Sequence, residues 1–317
     1  MYHMQIEIIK CHGSGNEFIM VDVTTLQPPF GDMAAFAQQM CSHPVVGGAD
    51  GILYVVREGE YYAMRMFNPD GSEAEMCGNG IRCVARLVQE RYISDKEFTL
   101  ASGKGLYPIC EAKPVSDNIK TYGVDINVSL MSSDFGFMAG AESHIGKVIP
   151  SLDKDLAFTA LNLGNPHIVA AVENIDMGHL KELGQKVLLL KDDFPRGINV
   201  SLYSRIGQNS IFVATYERGA GITYSCGTAM TASSTAAALL GLCDKDADIK
   251  VYNRGGMVRC MCHQAGTKIT TRLTGNATYQ WRGACYWDGR KLASVERSEE
   301  FHAEQKAYEE FVKSIQR

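Results

Sequence analysis

The chain reads as an α/β protein made of two copies of one architecture, each a sheet curled around a buried helix. Three observations point there. "AEMCGNGIRCVAR" and "TYSCGTAMTASS" both set a Cys-Gly pair at the mouth of a helix, with Cys77 and Cys226 lying 149 residues apart (226 − 77). Other polar landmarks recur at the same offset: Asn16 with Asn165, Asp50 with Asn199, and Asn68 with Glu217. Short runs rich in β-branched and aromatic residues surround both helices.

In the first half "MQIEIIK", "EFIMVD", "GILYVV", "YYAMRMF" and "TYGVDINVSL" read as strands. The helix after Cys77 carries Ile81, Val84, Ala85 and Val88 on one stripe, which sets Arg82, Arg86 and Gln89 apart from it. In the second half "HIVAAV", "SIFVATY", "DIKVY", "MVRCMC" and "KITTRL" read likewise as strands. The helix after Cys226 has Ala229, Met230, Ala232, Ala236, Ala237, Leu239 and Leu240, with only Ser and Thr as polar members. Such a helix is expected to be buried on all sides, and many strands around one buried helix imply a sheet that curls. The tail "RSEEFHAEQKAYEEFVKSIQR" spaces Phe301, Tyr308, Phe311, Val312 and Ile315 for one face of a helix docked on the body.

With 317 residues, 45% apolar and 21% charged, the chain has ample material for a core and the balance of a soluble globular protein. A net charge of −5, a pI near 5.9 and no Lys/Arg run argue against nucleic acid or an anionic membrane as partner. No signal-peptide pattern opens the chain, and no window approaches the roughly 18 apolar residues of a membrane span, so the expected compartment is the cytoplasm. The ten cysteines are too sparse to suggest a disulfide framework, and most read as small buried hydrophobes. Cys260 and Cys262 would share one face of a strand with His263 on the other, which favours packing over a metal site, and no metal is expected.

The first turn of a helix presents unsatisfied N–H groups and a partial positive charge. A thiol there ionises more readily, so Cys77 and Cys226 are the cysteines expected to reach thiolate near neutral pH. The same N–H groups can hold a carboxylate, and Gly78 and Gly227 leave that backbone open to a close approach. If the halves face one another, one thiolate can take a proton from one face of a carbon while the other thiol delivers a proton to the opposite face. That is stereoinversion by two bases, and it explains why the device occurs twice.

Taken together, "HGSGNEF", "GGADGIL", "FNPDGSEAEMCGNGIRC", "GNPH", "FPRGINV" and "YERGAGITYSCGT" resemble the diaminopimelate epimerases, from about His12 to Gly289. The resemblance implies two pseudo-symmetric halves, each a strongly curved, mostly antiparallel, barrel-like sheet around a central helix, with the active site between them. It implies residues 1–130 plus 283–317 as the half with Cys77 and 131–282 as the half with Cys226, "GACYWDG" being the returning strand. It further implies epimerisation of LL- to meso-diaminopimelate, a step of lysine and peptidoglycan precursor synthesis, without pyridoxal phosphate or any other cofactor. Cys77 and Cys226 would be the acid/base pair, tuned by His167 and Glu217. Gly78, Asn79, Gly227 and Thr228 would hold the carboxylate at the reacting carbon. Asn16, Asn68, Asn165, Asn199 and Arg218, with Glu217 beside them, would recognise the rest of the small-molecule amino-acid substrate; a bidentate arginine suits its far carboxylate. The resemblance is also compatible with a homodimer.

Glu17, Pro69, Ala229 and Met230 depart from the family's commonest residues, and the segment 113–151 and the tail beyond Gly289 are longer than in compact members. Two other functions compete. One is a racemase of another amino acid, such as histidine, on the same scaffold. The other is a thiol redox or metal-binding protein in which the paired cysteines form a disulfide or hold zinc. Metal content and thiol titration of the reduced protein separate the last from the first two.

Overall fold

The chain opens with a hairpin whose two-residue turn has Ser14 and Gly15 both at positive φ, the geometry that matches the right-handed twist of the flanking strands. It joins β1 (Met4–Gly13) to β2 (Asn16–Asp22) in antiparallel register, Gly13 opposite Asn16. This is a computed structural model, and it describes residues 4–26, 30–134, 136–137, 142–223 and 225–315. No helix among them is long and apolar enough to cross a membrane.

The chain divides into two compact units, Met1–Val124 with Gly275–Arg317, and Asp125–Thr274. In the first, α1 (Met33–Cys41), capped by the Asp32 side chain on the Ala35 N–H, carries the chain from β2 to a parallel β3 (Gly51–Glu58). β4 (Tyr61–Phe67) returns antiparallel and pairs with the short β5 (Glu73–Ala74). Next comes α2 (Gly78–Arg91), and then β6 (Glu97–Ser102), parallel to β4, and β7 (Gly105–Glu111). β8 (Thr121–Val128) leads into the second unit.

There, after β9 (Lys147–Ile149), the order is repeated. The hairpin of β10 (Asp153–Asn162) and β11 (Pro166–Ala171) is followed by α3 (Met177–Val187) and a parallel β12 (Asn199–Gly207). β13 (Ser210–Glu217) and β14 (Gly221–Thr223) lead to α4 (Gly227–Leu239). β15 (Ile249–Asn253) lies parallel to β13 and is followed by β16 (Gly256–Ala265) and β17 (Lys268–Asn276). The returning strand β18 (Thr278–Trp287) pairs with β1 in the first unit and is followed by β19 (Leu292–Glu300) and α5 (His302–Ile315).

α4 touches β10, β11, β12, β13, β15 and β16. Laid flat, so many strands would span roughly 24 Å at about 4.8 Å each, about twice the width of a helix, so the sheet must curl. As expected, α4 is buried from Gly227 to Ala238. Three of its hydroxyls bond back to the helix: Thr231 donates to the Gly227 carbonyl, and Ser234 and Thr235 to the Thr231 carbonyl, while Thr235 also meets Thr271. α1 and α3 cover the other face of their sheets, around Phe36, Tyr54 and Trp287 in one unit and Phe158, Leu180 and Phe194 in the other. Cys260 and Cys262 are buried on one side of β16, while exposed His263 pairs with Asp246.

α2 departs from the sequence pattern. Arg82 and Arg86, off its apolar stripe, are 0% and 5% exposed, because each guanidinium finds buried partners. Arg86 is gripped by both oxygens of Glu304 on α5 (2.6 and 2.7 Å), by Glu90 (2.8 Å) and by the Ala277 carbonyl, and it lies over the Tyr279 ring. α5 also sets Tyr308 against His12, ring centroids 4.5 Å apart. Removing Glu304 would take two charged bonds from the buried Arg86 guanidinium and leave Glu90 to compensate it. Glu304→Ala should therefore cost about 3 kcal/mol of stability, read as a lowered midpoint in urea, and Glu304→Gln should cost less.

Candidate active site

Both cysteines occupy helix N-cap positions, and the Cys77 sulfur makes the cap hydrogen bond. Cys77, half-buried, has extended backbone angles (φ −138, ψ 108), and its sulfur accepts from the Gly80 N–H at 3.4 Å. Cys226, at the same place on α4, has matching angles (φ −124, ψ 106). A Cβ at Gly80 would sit 2.7 Å from a terminal methyl of Leu53, so a side chain there would require that leucine to shift.

Around Cys77 the side chains are oriented from two ends. Asp50 accepts from the Asn16 amide at 2.6 Å and from the Glu17 N–H at 2.8 Å. That turns Asn16 Oδ1 towards Asn79 Nδ2 (3.4 Å) and the Cys77 sulfur (4.0 Å). From the other end, Arg82 donates to the Gly78 carbonyl (2.8 Å), Asn79 Oδ1 (3.1 Å), Ser14 Oγ (3.1 Å) and the Asn276 carbonyl (3.2 Å). Asn276 in turn accepts from the Ser14 N–H and donates to the His12 carbonyl and to Thr278. Asn68 stands outside this network: its amide donates to Ser72 within the turn that Asp70 closes.

Around Cys226 the network is different. Thr228 Oγ lies 3.5 Å from the sulfur, 3.2 Å from Asn165 Nδ2 and 3.1 Å from His167 Nε2, and His167 Nε2 is also 3.1 Å from Asn165 Oδ1. Glu217, which accepts from the Thr223 hydroxyl, is hydrogen-bonded to the Cys226 thiol. Asn199, buried at the start of β12, accepts from the Arg218 N–H at 2.8 Å. The Arg218 side chain is exposed and donates to the Arg196 carbonyl.

Sequence reasoning missed Arg82, Ser14 and Asn276, and it read Asp50 only as a landmark of the repeat. Arg82 was hidden because helical periodicity assigns a charged residue off the apolar stripe to solvent. Asn276 is 262 residues from Ser14, so no local pattern joins them.

The helix-start argument predicts easier ionisation at both thiols, but at Cys226 burial overrides it. Burial pushes that thiol well up and the Glu217 carboxylate adds to the rise, against the opposite pull of the Thr228 hydroxyl and the Ala229 N–H. Desolvation of a thiolate that is 9% exposed exceeds what a few partial charges return. Histidines follow the same rule: burial lowers His12 to about 4 and His167 to about 3, with Arg218 adding to the latter.

Both imidazoles thus take up protons in the unfolded chain at about 6.5 but not in the folded one, so their contribution is complete above that pH and fades as pH falls. Between pH 6.5 and 5 each should cost about 2 kcal/mol of stability, read as a falling urea midpoint across a window that lies above carboxylate titration.

The family model for diaminopimelate epimerase matches residues 8–120 and 159–280. A diaminopimelate epimerase of Clostridium acetobutylicum is 38% identical over 314 residues, covering 97% of this chain and 94% of the relative. One from Listeria monocytogenes serotype 4a is 35% identical over 321 residues, covering 98% and 97%. Among solved structures, a Bacillus anthracis phenazine biosynthesis protein of the PhzF family aligns with a TM-score of 0.64 at 15% identity, covering 89% of this chain and 99% of that one. A hydroxyproline epimerase from Agrobacterium vitis aligns at 0.59 and 14% identity, covering 92% and 94%. These two share the fold with this chain. Matched by the family model across most of both repeats and 38% identical to a relative over nearly its whole length, the chain belongs to the diaminopimelate epimerase family.

Proposed function

We propose that the protein interconverts LL- and meso-diaminopimelate with its own side chains, Cys77 and Cys226 acting as the acid/base pair. The observation that carries this reading is a cysteine at the N-cap of a buried helix at equivalent places in two repeats of one topology. One sulfur, as thiolate, removes the α-proton, and the other, as thiol, delivers a proton to the opposite face, which inverts the centre.

The difficulty of the step is the carbanion, whose charge spreads onto the carboxylate. N–H groups of Gly78, Asn79, Gly227 and Thr228 lie in the first turns of α2 and α4, at the positive end of each helix, and suit that charge. Asn16, held by Asp50 and facing Cys77, and Asn165, held by His167, are fixed donors and acceptors for a zwitterion. The exposed Arg218 guanidinium suits the far carboxylate, with Asn199 anchoring its backbone. Asn68 offers a half-buried amide to the same end of the substrate. Glu217 tunes Cys226 directly, and His167 acts on it through Thr228.

The test is α-hydrogen exchange in D2O by the reduced protein, without added cofactor, on LL-diaminopimelate and on a panel of L-amino acids. Deuterium should enter diaminopimelate with inversion, and Cys77→Ala or Cys226→Ala should lower inversion by about 10³-fold or more while leaving the urea midpoint near that of the parent. Exchange confined to another amino acid would move the substrate; normal turnover by either variant would overturn the two-thiol mechanism.

A further inference from the structure

The environment of Cys226 contains a proton whose direction the surrounding bonds determine. Thr228 Oγ touches the Cys226 sulfur (3.5 Å), Asn165 Nδ2 (3.2 Å) and His167 Nε2 (3.1 Å). His167 is fully buried and stays neutral, so its ring carries a single N–H. Its Nε2 lies 3.1 Å from Asn165 Oδ1, an atom that only accepts, whereas its buried Nδ1 meets no hydrogen-bond partner among the described residues.

Placing the proton on Nε2 makes that contact a hydrogen bond and leaves a bare acceptor at Nδ1. The alternative, with Asn165 turned over, would bury an N–H with nothing to receive it, the rarer and costlier defect. With Nε2 protonated, Asn165 must present Nδ2 to Thr228, and neither of the hydroxyl's nitrogen neighbours can accept its proton. Among the described contacts of Thr228 Oγ, the hydroxyl's own proton then has one acceptor left, Cys226 Sγ.

We propose that Thr228 is a further catalytic residue: its O–H, held in direction by the Asn165–His167 pair, donates to Cys226 Sγ and stabilises the thiolate each time that sulfur gives up its proton. The hydrogen-bond argument stands by itself, while its catalytic meaning rests on the reading of Cys226 as an acid/base group. It assigns His167 a positioning role, since the ring never reaches the sulfur and acts through Asn165 and Thr228. It also gives the buried thiol a counterweight. Glu217 on β13 faces the same sulfur and favours the protonated form, His167 on β11 is neutral, and Arg218 acts on that histidine. The Thr228 proton and the Ala229 N–H oppose Glu217. The surroundings differ at Cys77, where the side chain 4.0 Å from the sulfur is an amide oxygen, Asn16 Oδ1, which accepts from a thiol.

The test compares wild type, Thr228→Val and Thr228→Ser in the rate at which iodoacetamide alkylates Cys226 across pH, read peptide by peptide by mass spectrometry without substrate. Thr228→Val keeps the shape and removes the donor. At pH 8 it should slow alkylation of Cys226 about tenfold or more, the loss expected for one hydrogen bond to a charged atom, while alkylation of Cys77 stays at the wild-type rate. Thr228→Ser should behave as wild type. Should burial make Cys226 too slow to time, the ultraviolet absorbance of its thiolate, taken as the difference from the same protein carrying Cys226→Ala, gives the same titration.

An unchanged profile in Thr228→Val, or a loss shared equally by Cys77 or by Thr228→Ser, would overturn the proposal. This readout needs no turnover. The expected loss in Thr228→Val, confined to Cys226, with no α-exchange in D2O by the wild type would leave the Thr228 bond standing and remove the epimerase reading instead.

Discussion

A helix enclosed by a curled sheet has one way to satisfy the N–H groups of its first turn: something must be placed at its end. In this protein α2 and α4 are so enclosed, and each begins on a cysteine and a glycine. The sulfur is a weak, polarisable acceptor that leaves those N–H groups available to a stronger anion. Most of what surrounds the two thiols follows from that constraint. The hairpin turn at Ser14–Gly15 brings Asn16 up to the cap of α2, and the equivalent hairpin brings Asn165 and His167 up to the cap of α4.

The two repeats meet the constraint with different chemistry. Beneath the first turn of α2 lies a buried guanidinium, Arg82, which binds the Gly78 and Asn276 carbonyls, Ser14 and Asn79. A charge there holds several backbone segments at once, and its fork geometry tolerates little displacement. Among the described residues around α4 there is no such group; the Thr231, Ser234 and Thr235 hydroxyls return to the helix's own carbonyls, and small side chains let strands approach. Identical topology therefore delivers a half-buried thiol in one case and a buried one in the other. The local pull towards ionisation, common to both helix starts, is set against different desolvation costs.

α5 and β19 lie beyond the residues matched by the family model, yet they are tied into the first unit. Glu304 neutralises Arg86 on the side of α2 that points away from its apolar stripe, and Tyr308 covers His12, whose carbonyl receives Asn276. The helix thus completes a polar layer that the strands alone leave open. That explains why an arginine in the middle of α2 is stable where a surface position was expected.

The repeat, most of the strands flanking both helices (though not β6, β10 or β12), the all-round burial of α4 and the two Cys-Gly helix starts were legible from residue types and spacing. These are local properties: hydrophobic period and turn chemistry act over a few residues, and a duplicated pattern keeps its offset. α1 and α3 were less legible, because Met33–Cys41 and Met177–Val187 are short and their helical form depends on the parallel crossovers they make. What tertiary structure alone decided was the environment of each polar group. Arg86 meets Glu304 across 218 residues, and Ser14 meets Asn276 across 262. Cys226 owes its raised affinity for a proton to burial, which no helix-start pattern contains. By itself the sequence determined which atoms can donate, accept or ionise. Only the folded chain determined which of them water leaves, and desolvation is the larger energy.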